Sequence, residues 1–214
     1  MVIRGRAFDR LVNFTDAVVA VAITLLGLPL VDIRARGDEQ TVWQVIADHW
    51  PELLAFAYTF LVVAAVWKVH NRVINRMRGY DSTIFRLNVL WLIGIVLLPW
   101  PSALYGEGIR EDATEIAVSD GLGSAGLFYW GVLAYISLIA ALIAEHVRRR
   151  PELLDPDNTD PGHHPLRGFA FALAFAALGV ISVGEPTLSS WLALLLIPLA
   201  LAFASAERAR PSMG

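Results

Sequence analysis

The sequence predicts an all-α integral membrane protein with six transmembrane helices and both ends on the cytoplasmic side. Three observations carry that reading. Hydrophobic residues make up 56% of the 214 and the mean hydropathy is +0.55. A soluble domain holds roughly 45–50% apolar residues, so the excess needs a lipid phase to absorb it. Six apolar runs also approach the ~20 helical residues, rising ~1.5 Å each, that cross ~30 Å of hydrocarbon. Finally, all but three of the 17 lysines and arginines fall on one side of those runs.

The runs follow in order. The first, residues 11–31, is long and leads into no small-residue cleavage site, so it reads as a retained helix and not a signal peptide. The second covers residues 53–69 and the third 87–105. The fourth covers 122–144, the fifth 169–183 and the sixth 188–204. The fifth is short and is followed at once by Gly184-Glu185-Pro186, so the last two runs read as a helical hairpin. Residues 151–165, PELLDPDNTDPGHHP, carry four prolines among Asp and Asn turn formers and read as a loop. No loop is long enough for a core of its own, so residues 1–214 read as one domain.

The basic residues orient the helices. With the first run entering from the cytoplasm, Arg4, Arg6, Arg10, Lys68, Arg72, Arg76, Arg78, Arg86, Arg148, Arg149, Arg150, Arg167, Arg208 and Arg210 fall inside. Only Arg34, Arg36 and Arg110 fall outside. This is the positive-inside pattern. The outer loop with Glu107, Glu111, Asp112, Glu115 and Asp120 reads first as solvated surface, and second as a cluster that concentrates cations at a mouth.

Composition sets aside several classes. There is no cysteine, hence no disulfide, thiolate ligand or thiol nucleophile. A net charge of -3 argues against nucleic acid. No Gly-rich phosphate loop and no HExxH occur. The pair His163-His164 sits in the Asp- and Pro-rich loop and makes a poor metal site. The expectation is therefore a non-enzyme without metal or cofactor.

What remains is polarity inside the apolar runs, where an ionisable group is costly and usually marks function. Asp16 stands in the first run, six residues after Arg10. His70 ends the second and Asn88 opens the third, so all three share one depth near the cytoplasmic face. Trp67 lies one turn before His70. The expectation is a buried clasp in which the Asp16 carboxylate accepts from imidazole and amide. Competing readings are Asp16 as an N-cap and His70 as an interfacial residue beside Lys68 and Arg72. Further along the first run, Val21, Thr24, Leu25 and Leu28 share a helix face at the spacing of any packed seam. Ala17, Ala20 and Gly27 permit close helix approach, and Thr24 can bond back to a carbonyl one turn earlier.

Arg10-x-x-x-Phe14-Thr15-Asp16, followed by A-x-x-A-x-x-x-T-L-L-x-L, resembles the R-x-x-x-F-S-D signature of the transmembrane protein 175 family, the lysosomal potassium channels and their bacterial relatives. Phe60 and Trp67-x-x-His70 resemble that family's second helix, and Asn88 with LLPWPSALYG (97–106) its third. Thr15 stands where Ser is usual and keeps the hydroxyl. The last three runs resemble the family in number and hydropathy.

The resemblance implies a potassium-permeable channel of the bacterial plasma membrane. It implies a single six-helix subunit that pairs with itself as a homotetramer in the lipid bilayer. The first helix of each subunit would line a central pore that lacks a TVGYG filter. The pore would be narrowed by Val21, Leu25 and Leu28, with Thr24 as the polar ring tied to K+ preference. Arg10, Phe14, Thr15, Asp16, Trp67, His70 and Asn88 would pin the helix, and K+ would be the only ligand. Two other classes stay open: a secondary transporter or proton-coupled carrier using Asp16 and His70, and a membrane scaffold without transport. Neither broken half-helices nor an inverted repeat is visible for the transporter.

Overall fold

The computed structural model describes residues 2–34, 40–112, 121–158 and 165–194. Among them, five helical spans are long and apolar enough to cross a membrane.

Strand β1 (Ile3–Arg4) leads through Gly5 into α1 (Arg6–Leu25). Gly5 holds φ at 64°, the left-handed region that glycine enters without a Cβ clash. β1 pairs antiparallel with β2 (Gly79–Tyr80), Ile3 opposite Tyr80 and Arg4 opposite Gly79. A side chain at position 79 would run into the Ile3 carbonyl, so this position also requires glycine. The pairing ties the start of α1 to the connection between later helices.

α1 begins five residues before the predicted run and stops short of its end. Leu26 and Gly27 interrupt it, and α2 (Leu28–Val31) continues as one turn. The cause is Pro29, which has no N–H and whose ring crowds the carbonyl four residues back, at Leu25. The Gly27 N–H bonds the Thr24 carbonyl at 3.1 Å, tightening the last turn. α3 (Val42–Asp48), which the apolar runs did not predict, precedes α4 (Trp50–Ile74).

α5 (Ser82–Leu97) starts at Asp81, whose carboxylate accepts from the N–H groups of Thr83 and Ile84 at 3.0 and 2.8 Å. The predicted third run divides at Leu98, because Pro99 and Pro101 remove two donors on either side of Trp100, and resumes as α6 (Pro99–Asp112). α7 (Gly121–Arg149) and α8 (Pro165–Gly184) extend the fourth and fifth runs at both ends. The 151–165 loop holds a 3-10 turn at Pro151–Leu153 and a bridge from Leu154 to Met77.

The sixth run is helical over 186–194, and its remainder lies outside the described residues. The chain does reverse after α8. The Trp130 ring stacks on Phe175 at 6.2 Å and meets Tyr58 edge-on at 5.9 Å, and the Tyr58 hydroxyl donates to the Ala193 carbonyl at 3.4 Å. Residues 175 and 193 therefore share a level on either side of Glu185. His163-His164, Glu115 and Asp120 also lie outside the described residues.

The core gathers around α7, where Tyr129, Trp130, Leu133, Ile136 and Ile143 are fully buried. α5 presses close enough that a Cβ on Gly94 would collide with Tyr135 and Ile136. The arginine-rich ends are stitched together: Arg78 N–H to Leu153 carbonyl at 2.9 Å, and Asp155 N–H to Arg76 carbonyl at 2.8 Å.

Candidate functional site

α1 offers two unlike faces. Phe8, Thr15, Val19, Ala22 and Leu26 are buried at helical spacing and form the centre of its seam with the subunit, flanked by the half-buried Val12, Val18 and Ile23. The opposite strip is open: Phe14, Ala17, Ala20, Val21, Thr24, Leu25 and Leu28 are exposed, with Val21 at 58% and Leu28 at 61%. Of the small residues that permit close approach, Ala17 and Ala20 are exposed among the described residues, while Gly27 lies beside the Phe56 ring. Thr24 donates its hydroxyl proton to the Val21 carbonyl at 2.7 Å, three residues back and not four.

The buried seam carries a directed chain of hydrogen bonds. The Thr15 hydroxyl lies 2.9 Å from the Leu11 carbonyl, which can only accept, so the hydroxyl proton is used there. Thr15 must then accept from Asn88, whose Nδ2 is 2.8 Å away. The Asn88 Oδ1 consequently faces His70 Nε2 at 2.9 Å, and that nitrogen carries the hydrogen. The order is His70 to Asn88 to Thr15 to Leu11, joining α4, α5 and α1. All three side chains are buried, Asn88 at 1% exposure. The Trp91 ring meets the His70 ring edge-on with centroids 4.0 Å apart, setting its orientation.

This corrects the carboxylate-centred clasp. Asp16 bonds neither His70 nor Asn88; its Oδ1 accepts from the Trp67 indole N–H at 2.9 Å. Asp16 also lies well inside α1, which rules out an N-cap, since the N-cap is Gly5. Adjacent residues on a helix point ~100° apart. Thr15 faces α5 while Asp16 turns toward α4, so two short links hold one helix turn. Arg10 and Phe14 are exposed, and the hydrogen bonds of Asp16, His70 and Asn88 go to residues other than Arg10. Thr15 was expected among the residues that pin the helix, but not as the junction between Leu11 and Asn88, and Trp91 against the His70 ring was not named. The retained hydroxyl at the signature position was the available signal for Thr15.

A second polar link sits at the arginine-rich end, where His146 Nε2 on α7 meets Asp81 Oδ2 at 2.9 Å. Desolvation alone pushes the Asp81 carboxyl up. The Ile84 N–H, the hydrogen bond and charge of His146, and the Thr83 N–H outweigh it and hold the group below the usual carboxylate value. Asp81 thus caps α5 and follows β2 directly, joining the starts of α1 and α5 to the end of α7.

The sequence profile described as Endosomal/lysosomal potassium channel TMEM175 matches residues 10–99, the segment that contains this network. A potassium channel of Streptomyces collinus is 31% identical over 194 residues, 90% of this chain and 85% of that protein. A potassium channel of Chamaesiphon minutus is 28% identical over 147 residues, 68% of each. The human endosomal/lysosomal proton channel TMEM175 is 25% identical over 161 residues, 74% of this chain but 29% of that protein. Among solved structures, the crystal structure of a lysosomal potassium-selective channel TMEM175 homolog from Chamaesiphon minutus shares the fold. Its TM-score is 0.70 at 22% identity, covering 96% of this chain and 100% of that one.

Proposed function

This chain belongs to the TMEM175 family, a multi-pass membrane channel family, and we propose that it is a potassium-permeable channel of the bacterial plasma membrane, with its N-terminus in the cytoplasm. Four copies surround a central pore, each contributing α1. K+ is the only ligand and no cofactor takes part. The observation that carries the reading is the open strip of α1. The helix is pinned by Thr15 and Asp16 on one side, while Val21, Thr24, Leu25 and Leu28 stand exposed on the other. A lone subunit leaves that strip without a protein partner, and a symmetric ring supplies one.

The chemistry fits a hydrophobic neck. Val21, Leu25 and Leu28 carry no hydrogen-bonding side-chain atoms, so rings of them disfavour a partly dehydrated ion and gate by dewetting. The Thr24 hydroxyl has its proton engaged by the Val21 carbonyl, so its oxygen presents lone pairs. That is the polarity that replaces part of a cation's hydration shell.

The test is the reversal potential of purified protein in liposomes under opposed K+ and Na+ gradients, with native mass spectrometry in mild detergent. A reversal near the K+ equilibrium value and four copies are expected. A stable monomer that conducts sinks the assembly. A second reading, proton permeation, is favoured by the human relative, an endosomal/lysosomal proton channel. A pH gradient in the same liposomes separates the two. The transporter reading needs Asp16 and His70 to exchange a proton, yet each bonds a different residue.

A further inference from the structure

We propose that α3 is an amphipathic helix seated in the phospholipid headgroup interface, at the membrane surface opposite the arginine-rich end, with Trp43 as its anchor. At about 100° per residue, VWQVIAD sets Val42, Trp43, Val45 and Ile46 on one arc and Gln44 and Asp48 on the other. The outer part of the apolar arc is open among the described residues: Val42 is 72% exposed, Trp43 79% and Ile46 42%, while Val45 is half-buried on the side toward α4.

The helix supports itself at its polar side. The Thr41 hydroxyl accepts from the Gln44 N–H at 3.4 Å, and the Gln44 Oε1 accepts from the Thr41 N–H at 2.7 Å, a reciprocal capping box. Gln40 Nε2 donates to Asp48 Oδ2 at 2.7 Å. These polar bonds leave the side chains of Val42, Trp43 and Ile46 free for another phase.

Its depth follows from α4. Counting ~20 residues of ~1.5 Å from Arg72, the basic end of that helix, spans ~30 Å of hydrocarbon and ends at Glu52. Trp50, exposed, and α3 just before it therefore stand where hydrocarbon gives way to headgroups. The apolar arc runs on into the exposed Trp50 and Leu54 of the lipid-facing span. Tryptophan concentrates at this level because its ring is apolar and its N–H is not. A helix of seven residues is too short to cross, so it lies in the plane with its apolar side inward.

The chain has no cysteine, so single cysteines can be placed at 42, 43, 44, 46 and 48 in an otherwise unchanged protein. Each is spin-labelled and reconstituted in vesicles of 3:1 phosphatidylcholine and phosphatidylglycerol. Access to oxygen, which dissolves in lipid, is compared with access to a water-soluble nickel chelate. Labels at 42, 43 and 46 should favour oxygen several-fold over the chelate, and labels at 44 and 48 should show the reverse. Equal chelate access at all five sites overturns the proposal by placing α3 in water. Shielding of 42, 43 and 46 from both probes overturns it in favour of a protein cover, including another copy of this chain. As a second readout, Trp43→Phe should lower the quenching of total tryptophan fluorescence by brominated phosphatidylcholine, and unchanged quenching counts against the proposal. Neither measurement depends on conduction.

Discussion

The Asn88 amide donates to the Thr15 hydroxyl across 2.8 Å, a direction set by the Leu11 carbonyl that takes the Thr15 proton, and it in turn sets the direction of the bond from His70 to Asn88 in the buried chain that joins α1 to α5 and α4. A group that both accepts and donates cannot be replaced there by one that does only one of these.

Thr15→Val keeps the shape and deletes the hydroxyl, leaving the buried Asn88 Nδ2 without its acceptor. The cost is about 1–3 kcal/mol for the stranded donor. Thr15→Ser keeps the hydroxyl and should stay close to the parent. Thermal unfolding in detergent checks both. Equal melting of the Val and Ser variants would show that the bond contributes nothing.

Asp16→Ala and Trp67→Phe should lower stability by similar amounts, on the order of 1.5–3 kcal/mol, because each removes one end of the same charge-assisted bond. The double variant should lose less than the sum. Oligomer yield should fall more than K+ preference changes. An Asp16→Ala protein that assembles normally but has altered selectivity would make Asp16 a permeation site instead.

At the neck, Leu25→Asn or Leu28→Asn wets the ring and should raise conductance while blurring K+ over Na+ discrimination. Thr24→Val removes the lone pairs at nearly constant volume and should reduce K+ preference with assembly intact. Val19→Asn, on the buried seam at 2% exposure, is the control and should damage stability without raising flux. Single-channel current and reversal potential read all four. Unchanged values throughout would take α1 away from the pore.

Acid should loosen the arginine-rich end. The folded Asp81 carboxyl sits below its ordinary value, so its stabilisation is complete above the unfolded pKa of ~3.9 and is lost as pH falls through the lower folded one. Asp81→Asn retains a competent N-cap but removes the charge facing His146. It should be less stable than the parent at neutral pH, with the gap closing as the pH falls below the unfolded carboxylate value of ~3.9. A gap independent of pH would mean the charge is not responsible.

Much of this was legible before the structure. Five of the six expected spans followed from apolar length, and the internal breaks in the first and third trace to Pro29, Pro99 and Pro101. Depth placed Asp16, His70 and Asn88 at one level, because rise per residue is nearly constant. Depth does not set azimuth, however. Only the packing of α4 and α5 decides that Thr15 rather than Asp16 faces Asn88. α3 was passed over because seven residues cannot span, although T-x-x-Q before an amphipathic heptad is a readable cap. Two-residue strands such as Ile3–Arg4 carry no periodicity and could not be read.

The same long-range bond has a consequence for biogenesis. Thr15 and Asn88 are 73 positions apart. At about 5–20 residues per second, a ribosome takes roughly 4–15 s to produce the second after the first. The newly inserted first helix thus holds its carboxylate for 51 positions before Trp67 is made, and its hydroxyl for the full 73 before Asn88 is. Hydroxyl back-bonding to Leu11 covers one of them from the outset, while Asp16 must wait at the membrane boundary, within reach of water. Shifting that aspartate one turn deeper should therefore cost more in insertion yield than in the stability of the finished protein.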